Sequence, residues 1–162
     1  MGKTSLINHF LTESFDINIG KSMGVDVSSK NIIINGLKIN LQIWDFVGDI
    51  RFRNLLLNYA RGSYGGIFMY DISNQSSIKS IDSWLNLFQE KLPRWKGQIP
   101  IIVVGGKSDL SEEKVVTIQD AVNFSKNQKI FDYMECSSKT GINVDKVFNE
   151  LTIEIMKRLD VQ

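Results

Sequence analysis

Residues 99–110 read IPIIVVGGKSDL. The first eight are continuously apolar or small rather than alternating, so both faces of the segment need cover, as in a strand inside a parallel sheet. The polar GGKSDL at 105–110 is then the exit from that strand. Upstream, GIFMYDIS is a second compact apolar strand, ending at Asp71, and downstream FDYMECS is a short third. Between them Ile78, Ile81, Leu85, Phe88 and Leu92 recur at helical spacing until Pro93, and a further helix is expected from about Thr117 to Asn127. Val144, Val147, Phe148, Leu151, Ile155 and Leu159 line a last helix, and residues 3–12, with Leu6, Ile7, Phe10 and Leu11, a first one. Between Val25 and Asp45 two extended runs flank Asn35-Gly36, a tight hairpin pair, and Ile39, Leu41 and Ile43 alternate with Lys38, Asn40 and Gln42. The fold class is therefore α/β, a mostly parallel sheet with helices on both faces and a hairpin at one edge.

A chain of 162 residues is one domain, 1–162, without repeat or linker. Its 19 Lys plus Arg against 18 Asp plus Glu, net +1, leave no overall field to gather nucleic acid. Cys136 has no second cysteine to pair with, which suits an intracellular, cytoplasmic setting. Gly2 is followed by Leu6 where a myristoylation signal needs Ser or Thr, and the last residues, KRLDVQ, hold no Cys for a prenyl group, so no direct lipid anchor is expected. The chain shows neither a secretory leader nor an apolar run of membrane-spanning length.

In sheets of this kind ligands gather beyond the carboxyl ends of the strands. Five places there carry chemistry. GKT at 2–4 opens a helix, where Lys3 can reach terminal phosphates and the Thr4 hydroxyl a magnesium ion; taken alone, the tripeptide serves equally well as ordinary capping. In WDFVGD at 44–49, Asp45 can hold the ion directly or through water, and Gly48 can bring its N–H to a phosphate, although an Asx turn explains the same residues. In GGKSDL, Asp109 can accept two hydrogen bonds from a purine and the Lys107 stem can lie across its ring; a polar turn is the plain alternative. SSKTG at 137–141 offers backbone N–H groups and Lys139 to a base pocket, and Ser22, in FDINIGKSMG, offers a second hydroxyl to the ion. Their order at successive strand exits puts all five on one edge.

With these motifs in place the sequence resembles the Ras superfamily of small GTPases, and its Rab-like branch in particular, over essentially the whole chain. GKTSL is similar to the end of the first nucleotide loop, WDFVGDIRFR to WDTAGQERFR, GGKSDL to GNKxDL and ECSSKTG to ETSAKTG. The resemblance implies a P-loop NTPase fold, binding of GTP and GDP with Mg2+, and a switch between two conformations. It implies contacts to nucleotide from Gly2, Lys3, Thr4, Ser5, Phe15, Ser22, Gly48, Lys107, Asp109, Ser137, Ser138 and Lys139, with Phe15 against the guanine. Magnesium falls to Thr4, Ser22 and Asp45, and the catalytic positions are Lys3, Gly48 and Asp49. Regulatory and effector proteins are expected at residues 20–30 and 46–64, where Arg51, Arg53 and Arg61 stand beside Phe52, Leu56 and Tyr59. The chain itself is expected to be monomeric.

Departures from the family pattern qualify the chemistry. Asp49 stands where the family has the Gln that orients the attacking water, so intrinsic GTP hydrolysis is expected to be weak. Gly106 replaces the Asn that ties the base pocket to the phosphate loop, a loss of roughly 1 to 3 kcal/mol. Ser22 in place of Thr keeps the hydroxyl. The central strand and Gly-rich half-loop that precede Gly-Lys in the family have no counterpart in residues 1–162, so the domain is expected to be incomplete at its N-terminus, with the missing residues upstream of Met1; a chain that truly began there is expected to be unstable or to close its sheet in another way. The alternative to a switch enzyme is a catalytically inactive GTPase-like module that binds proteins.

Overall fold

The computed structural model describes residues 2–16, 24–46, 58, 61–79, 81–91, 99–126 and 128–161. The first helix, α1 (Lys3–Thr12), buries Leu6 and Phe10, four residues apart on one face. It stops at Glu13, which turns left-handed at φ 57° and gives its N–H to the His9 carbonyl. Strands β1 (Val25–Ile34) and β2 (Leu37–Phe46) then pair antiparallel, Ile34 opposite Leu37 and Val25 opposite Phe46. Asn35 and Gly36 sit at φ 52° and 79°, the two positive values that a tight two-residue hairpin needs.

Strand β3 (Gly66–Asp71), β4 (Ile101–Gly106) and β5 (Asp132–Glu135) form a parallel sheet in that order, with Asp71 level with Gly106 and Gly105 level with Glu135. All six residues of β4 are buried, as its continuous apolar character requires. Its alternate residues feed two cores. Ile102 and Val104 join Leu6, Phe10, Met69, Met134 and the inner face of α5 (Val144–Arg158), while Ile101 and Val103 join Tyr70, Ile72, Ile78, Ile81, Leu85 and Val116. Helices therefore cover both faces.

The hairpin stands as a two-stranded sheet of its own, with no ladder to β3 among the described residues. It is joined to the rest through side chains: Ile32, Leu41 and Ile43 pack on the same core as Leu6 and Phe10. The Phe10 ring stacks on Phe148 of α5 at 3.9 Å between centroids, and the Lys30 ammonium of β1 lies 4.3 Å over its other side and donates to the Phe10 carbonyl.

The apolar series expected as one helix from Ile78 to Leu92 is two elements, a single turn α2 (Gln75–Ile78) and helix α3 (Ile81–Lys91); Leu92 and the Phe88 side chain lie outside the described set. Local bonds explain the extra turn. Asn74 caps it by accepting from the Ser76 N–H, and Ser77 Oγ donates to the Asn74 carbonyl while accepting from the Asp71 N–H. Helix α4 (Ile118–Phe124) begins at a capping box of Thr117 and Asp120 and is shorter than expected, ending where Ser125 Oγ bonds to the Ala121 carbonyl and to the Tyr133 hydroxyl. Cys136 is fully buried, and burial pushes its thiol up to about 12, which leaves it a packing group. No helix among the described residues is long and apolar enough to cross a membrane.

The Phe10–Phe148 stack predicts that Phe148→Ala costs about 3 to 5 kcal/mol in urea unfolding, whereas Phe124→Ala, at a side chain 40% exposed, changes stability by about 0.5 kcal/mol or less.

Candidate functional site

Polar side chains converge where strands end. Asp45, one residue before the end of β2, is only 6% exposed, and it accepts a hydrogen bond of 2.5 Å from the Thr4 hydroxyl in the first turn of α1. Gly2, left-handed at φ 89°, precedes that turn, and no side chain caps it. The early N–H groups of α1 thus keep their bias toward an anion. Lys3 and Ser5, in the same turn, are half-buried. Burial holds the Lys3 amine below the ordinary lysine value, and the Asp45 charge partly opposes this. A lysine short of water gains more than an exposed one from a further negative group.

The second grouping lies past β4 and β5. Lys107 adopts a left-handed φ of 67°, and its ammonium lies 2.6 Å from the carboxylate of Asp71, the last residue of β3. Asp109 accepts from Ser137 Oγ at 2.5 Å. One such bond leaves a carboxylate able to accept several more, so Asp109 retains the capacity to read paired N–H groups. Ser137 is wholly buried, and its hydroxyl also accepts from the Thr140 N–H at 3.1 Å, so it is committed to bracing Asp109 within this turn. Ser138 is half-buried and Lys139 exposed in the same turn. Backbone bonds join the two exits: Cys136 N–H to the Gly105 carbonyl and Ser108 N–H to the Cys136 carbonyl, both at 2.9 Å.

The structure brings together Lys3, Thr4 and Asp45 at one place and Lys107, Asp109 and Ser137 at another. Phe15 stands 42% exposed beyond the end of α1. Ser22, Gly48 and Asp49, expected at the ion, the phosphate and the attacking water, lie outside the described residues. Sequence reasoning passed over Asp71 as a partner, although an acidic residue closing a strand beside the lysine-bearing exit was a signal for it. Burial alone would push the Asp71 carboxyl up, but hydrogen bonds from Lys107 and from the Ser73 hydroxyl and N–H outweigh it and hold the group below its ordinary value.

The donor set at the first place suits a small hard cation: a hydroxyl oxygen and a carboxylate within hydrogen-bond reach of one another, with no thiol or imidazole among the described ligand candidates. Thr4 Oγ1 keeps a lone pair toward an ion while it donates to Asp45.

The family model described as "Ras family" matches residues 1–157. The chain is 34% identical over 160 residues to the Ras-related protein Rab-4 of Dictyostelium discoideum, covering 99% of this chain and 76% of that one. It is 32% identical to the GTP-binding protein ypt4 of Schizosaccharomyces pombe, covering 99% and 69%, and 34% identical to the human Ras-related protein Rab-3D, covering 99% and 71%.

Because the Asp71 carboxyl titrates below its ordinary 3.8, its ionised form contributes stability that is complete above the ordinary value and lost as the pH falls through the folded one. Asp71→Asn should lower stability at neutral pH by about 1 to 2 kcal/mol. In urea titrations the gap between variant and wild type should close as the pH falls below the ordinary carboxylate value of 3.8.

Proposed function

We infer the function from one premise: the chain belongs to the Ras family, alongside its Rab and Ypt members. It is a Rab-like guanine-nucleotide switch, binding GTP and GDP with magnesium and hydrolysing GTP slowly, in intracellular signalling or vesicle traffic. It works as a cytoplasmic protein. The observation that supports this most is the pair of ties at strand ends, Thr4 to Asp45 and Ser137 to Asp109, one suited to a phosphate-bound cation and the other to a purine.

Lys3 and the first-turn N–H groups of α1 hold the β- and γ-phosphates, and Thr4, Ser22 and Asp45 hold the magnesium. When bound, that ion neutralises charge on the phosphate oxygens. Gly48 gives its N–H to the γ-phosphate. Asp109, braced by Ser137, accepts from the guanine N–H groups, while Lys107, Ser138, Lys139 and Phe15 enclose the ring. Loss of the γ-phosphate releases the segments near Ser22 and after Gly48, and regulators and effectors read that difference at residues 20–30 and 46–64. Asp49 offers no amide to the attacking water and sets a negative charge near the phosphate, which keeps turnover low.

A second reading, a partner-binding module without turnover, has its own support. Val27 and Trp44 lie directly opposite one another on the hairpin and are 51% and 37% exposed, an apolar pair of which Val27 falls within residues 20–30.

Titration with fluorescent GDP in the presence of magnesium, against fluorescent ADP, separates the two: the switch predicts guanine-selective binding, and equal or absent binding sinks it. Asp109→Ala should weaken GDP by about 10- to 100-fold, the loss of one or two charged hydrogen bonds. Asp49→Gln should raise single-turnover phosphate release by about tenfold; an unchanged rate would show that this position does not limit hydrolysis.

A further inference from the structure

We propose that His9 is a positioning residue, coupling α1 to the loop that holds Asp109 by packing its ring on Gly141. The coupling is structural, and its consequence for ligand binding rests on the nucleotide reading above. His9 lies in the last turn of α1, the helix whose first turn carries Lys3 and Thr4. Its ring fills the space a side chain would need at Gly141: a Cβ there would stand 2.9 Å from Nε2 and 3.3 Å from Cε1. Gly141 also requires its own type for the backbone, at φ 80°. The buried Nδ1 of His9 finds no hydrogen-bond partner among the described residues, so the ring is held by shape and contact.

What Gly141 controls is the carboxylate. Its N–H donates to the Ser137 carbonyl at 2.9 Å and its carbonyl accepts from Val144 N–H at 3.2 Å, closing the turn. The Ser137 N–H bonds back to Ile142 at 3.0 Å, and Ser137 Oγ grips Asp109. A shift of Gly141 therefore moves the group that orients Asp109. His9 itself has firm backing, because the adjacent Phe10 is fully buried and stacked on Phe148. The strand exit at Gly106 carries no side chain that could make such a connection. His9 thus links the phosphate-side helix to the base-side loop from the opposite end of α1.

Amide hydrogen exchange on the full chain, read segment by segment for wild type, His9→Ala and His9→Phe, tests the coupling without nucleotide. His9→Ala should speed exchange at residues 137–142 by about tenfold or more while β3 and β4 keep their protection. His9→Phe, which restores a flat ring without either nitrogen, should return the loop to within about threefold of wild type. Unchanged exchange in the loop, an increase spread evenly over the chain, or no rescue by His9→Phe overturns the proposal. In parallel, the preference for fluorescent GDP over ADP should fall about tenfold in His9→Ala and recover in His9→Phe. Faster loop exchange with an unaltered preference overturns the positioning role. If the wild-type chain binds neither nucleotide, the switch reading falls, and the exchange result alone decides whether His9 couples the two elements.

Discussion

The stack of Phe10 on Phe148 is the contact on which the rest of the molecule depends. Among the described residues the hairpin and the parallel sheet share no ladder, so no backbone hydrogen bonds join them. Their union is made by α1, which touches both. Phe10 sits between the Lys30 ammonium of the hairpin and the ring of Phe148, and Leu6 lies in the same core as Ile102 and Val104 of β4. The apolar part of these contacts gains energy from area and close packing, and the stack fixes the planes of two rings rather than the direction of a strand. The orientation of the hairpin must then come from something with direction. The Thr4–Asp45 bond and the Lys30–Phe10 bond supply it at the two ends of α1.

The same arrangement explains why charge collects where it does. A buried carboxylate is costly unless hydrogen-bonded, and Asp45 and Asp71, the two buried at strand ends, each find their partners on another element or the next turn. Beside the local bonds from Ser73, one bond to each carboxylate also ties two elements together: α1 to β2 through Asp45, and the exit of β4 to that of β3 through Asp71. Asp109 and Ser137 repeat the pattern between the exits of β4 and β5. The polar edge of the sheet is thus held by side-chain bonds of the kind that a polar ligand can join or displace, whereas the apolar layers beneath it are held by packing that a ligand does not reach.

Regular patterns made most of the fold legible. Alternation at Ile39, Leu41 and Ile43, the Asn35-Gly36 pair and the unbroken apolar run of β4 each admit one reading, because period and turn chemistry agree. The division of the helix near residue 80 was less visible. Ile78 and Ile81 are both core residues at helical spacing, and the choice between one helix and two was made by Asn74 and Ser77 bonding to local backbone. The site was legible as residue types at strand exits and far less so as pairings. Asp71 at the end of β3 was a hint of a partner for Lys107, but nothing in the spacing of His9 and Gly141 announces contact, since that pair is far apart in the chain and meets only in the folded molecule. The separation of the hairpin from the parallel sheet is likewise a property of three-dimensional pairing that neither segment carries alone.

Lys107 shows how these levels meet. A lysine at φ 67° occupies a region that side chains with a Cβ enter at a cost, and such residues persist where their surroundings over-determine them. Here the surroundings are identifiable. The Lys107 carbonyl accepts from Leu110 N–H at 2.9 Å, the next residue, Ser108, donates its N–H to Cys136, and the ammonium is drawn back to Asp71. The left-handed turn redirects the chain sharply after β4, which brings Asp109 to Ser137 rather than letting the strand run on past it. The ion pair adds to these two backbone bonds in holding the turn. The strain at Lys107 and the placement of Asp109 are therefore one feature: the turn that carries the unfavourable angle is the turn that brings the carboxylate to Ser137.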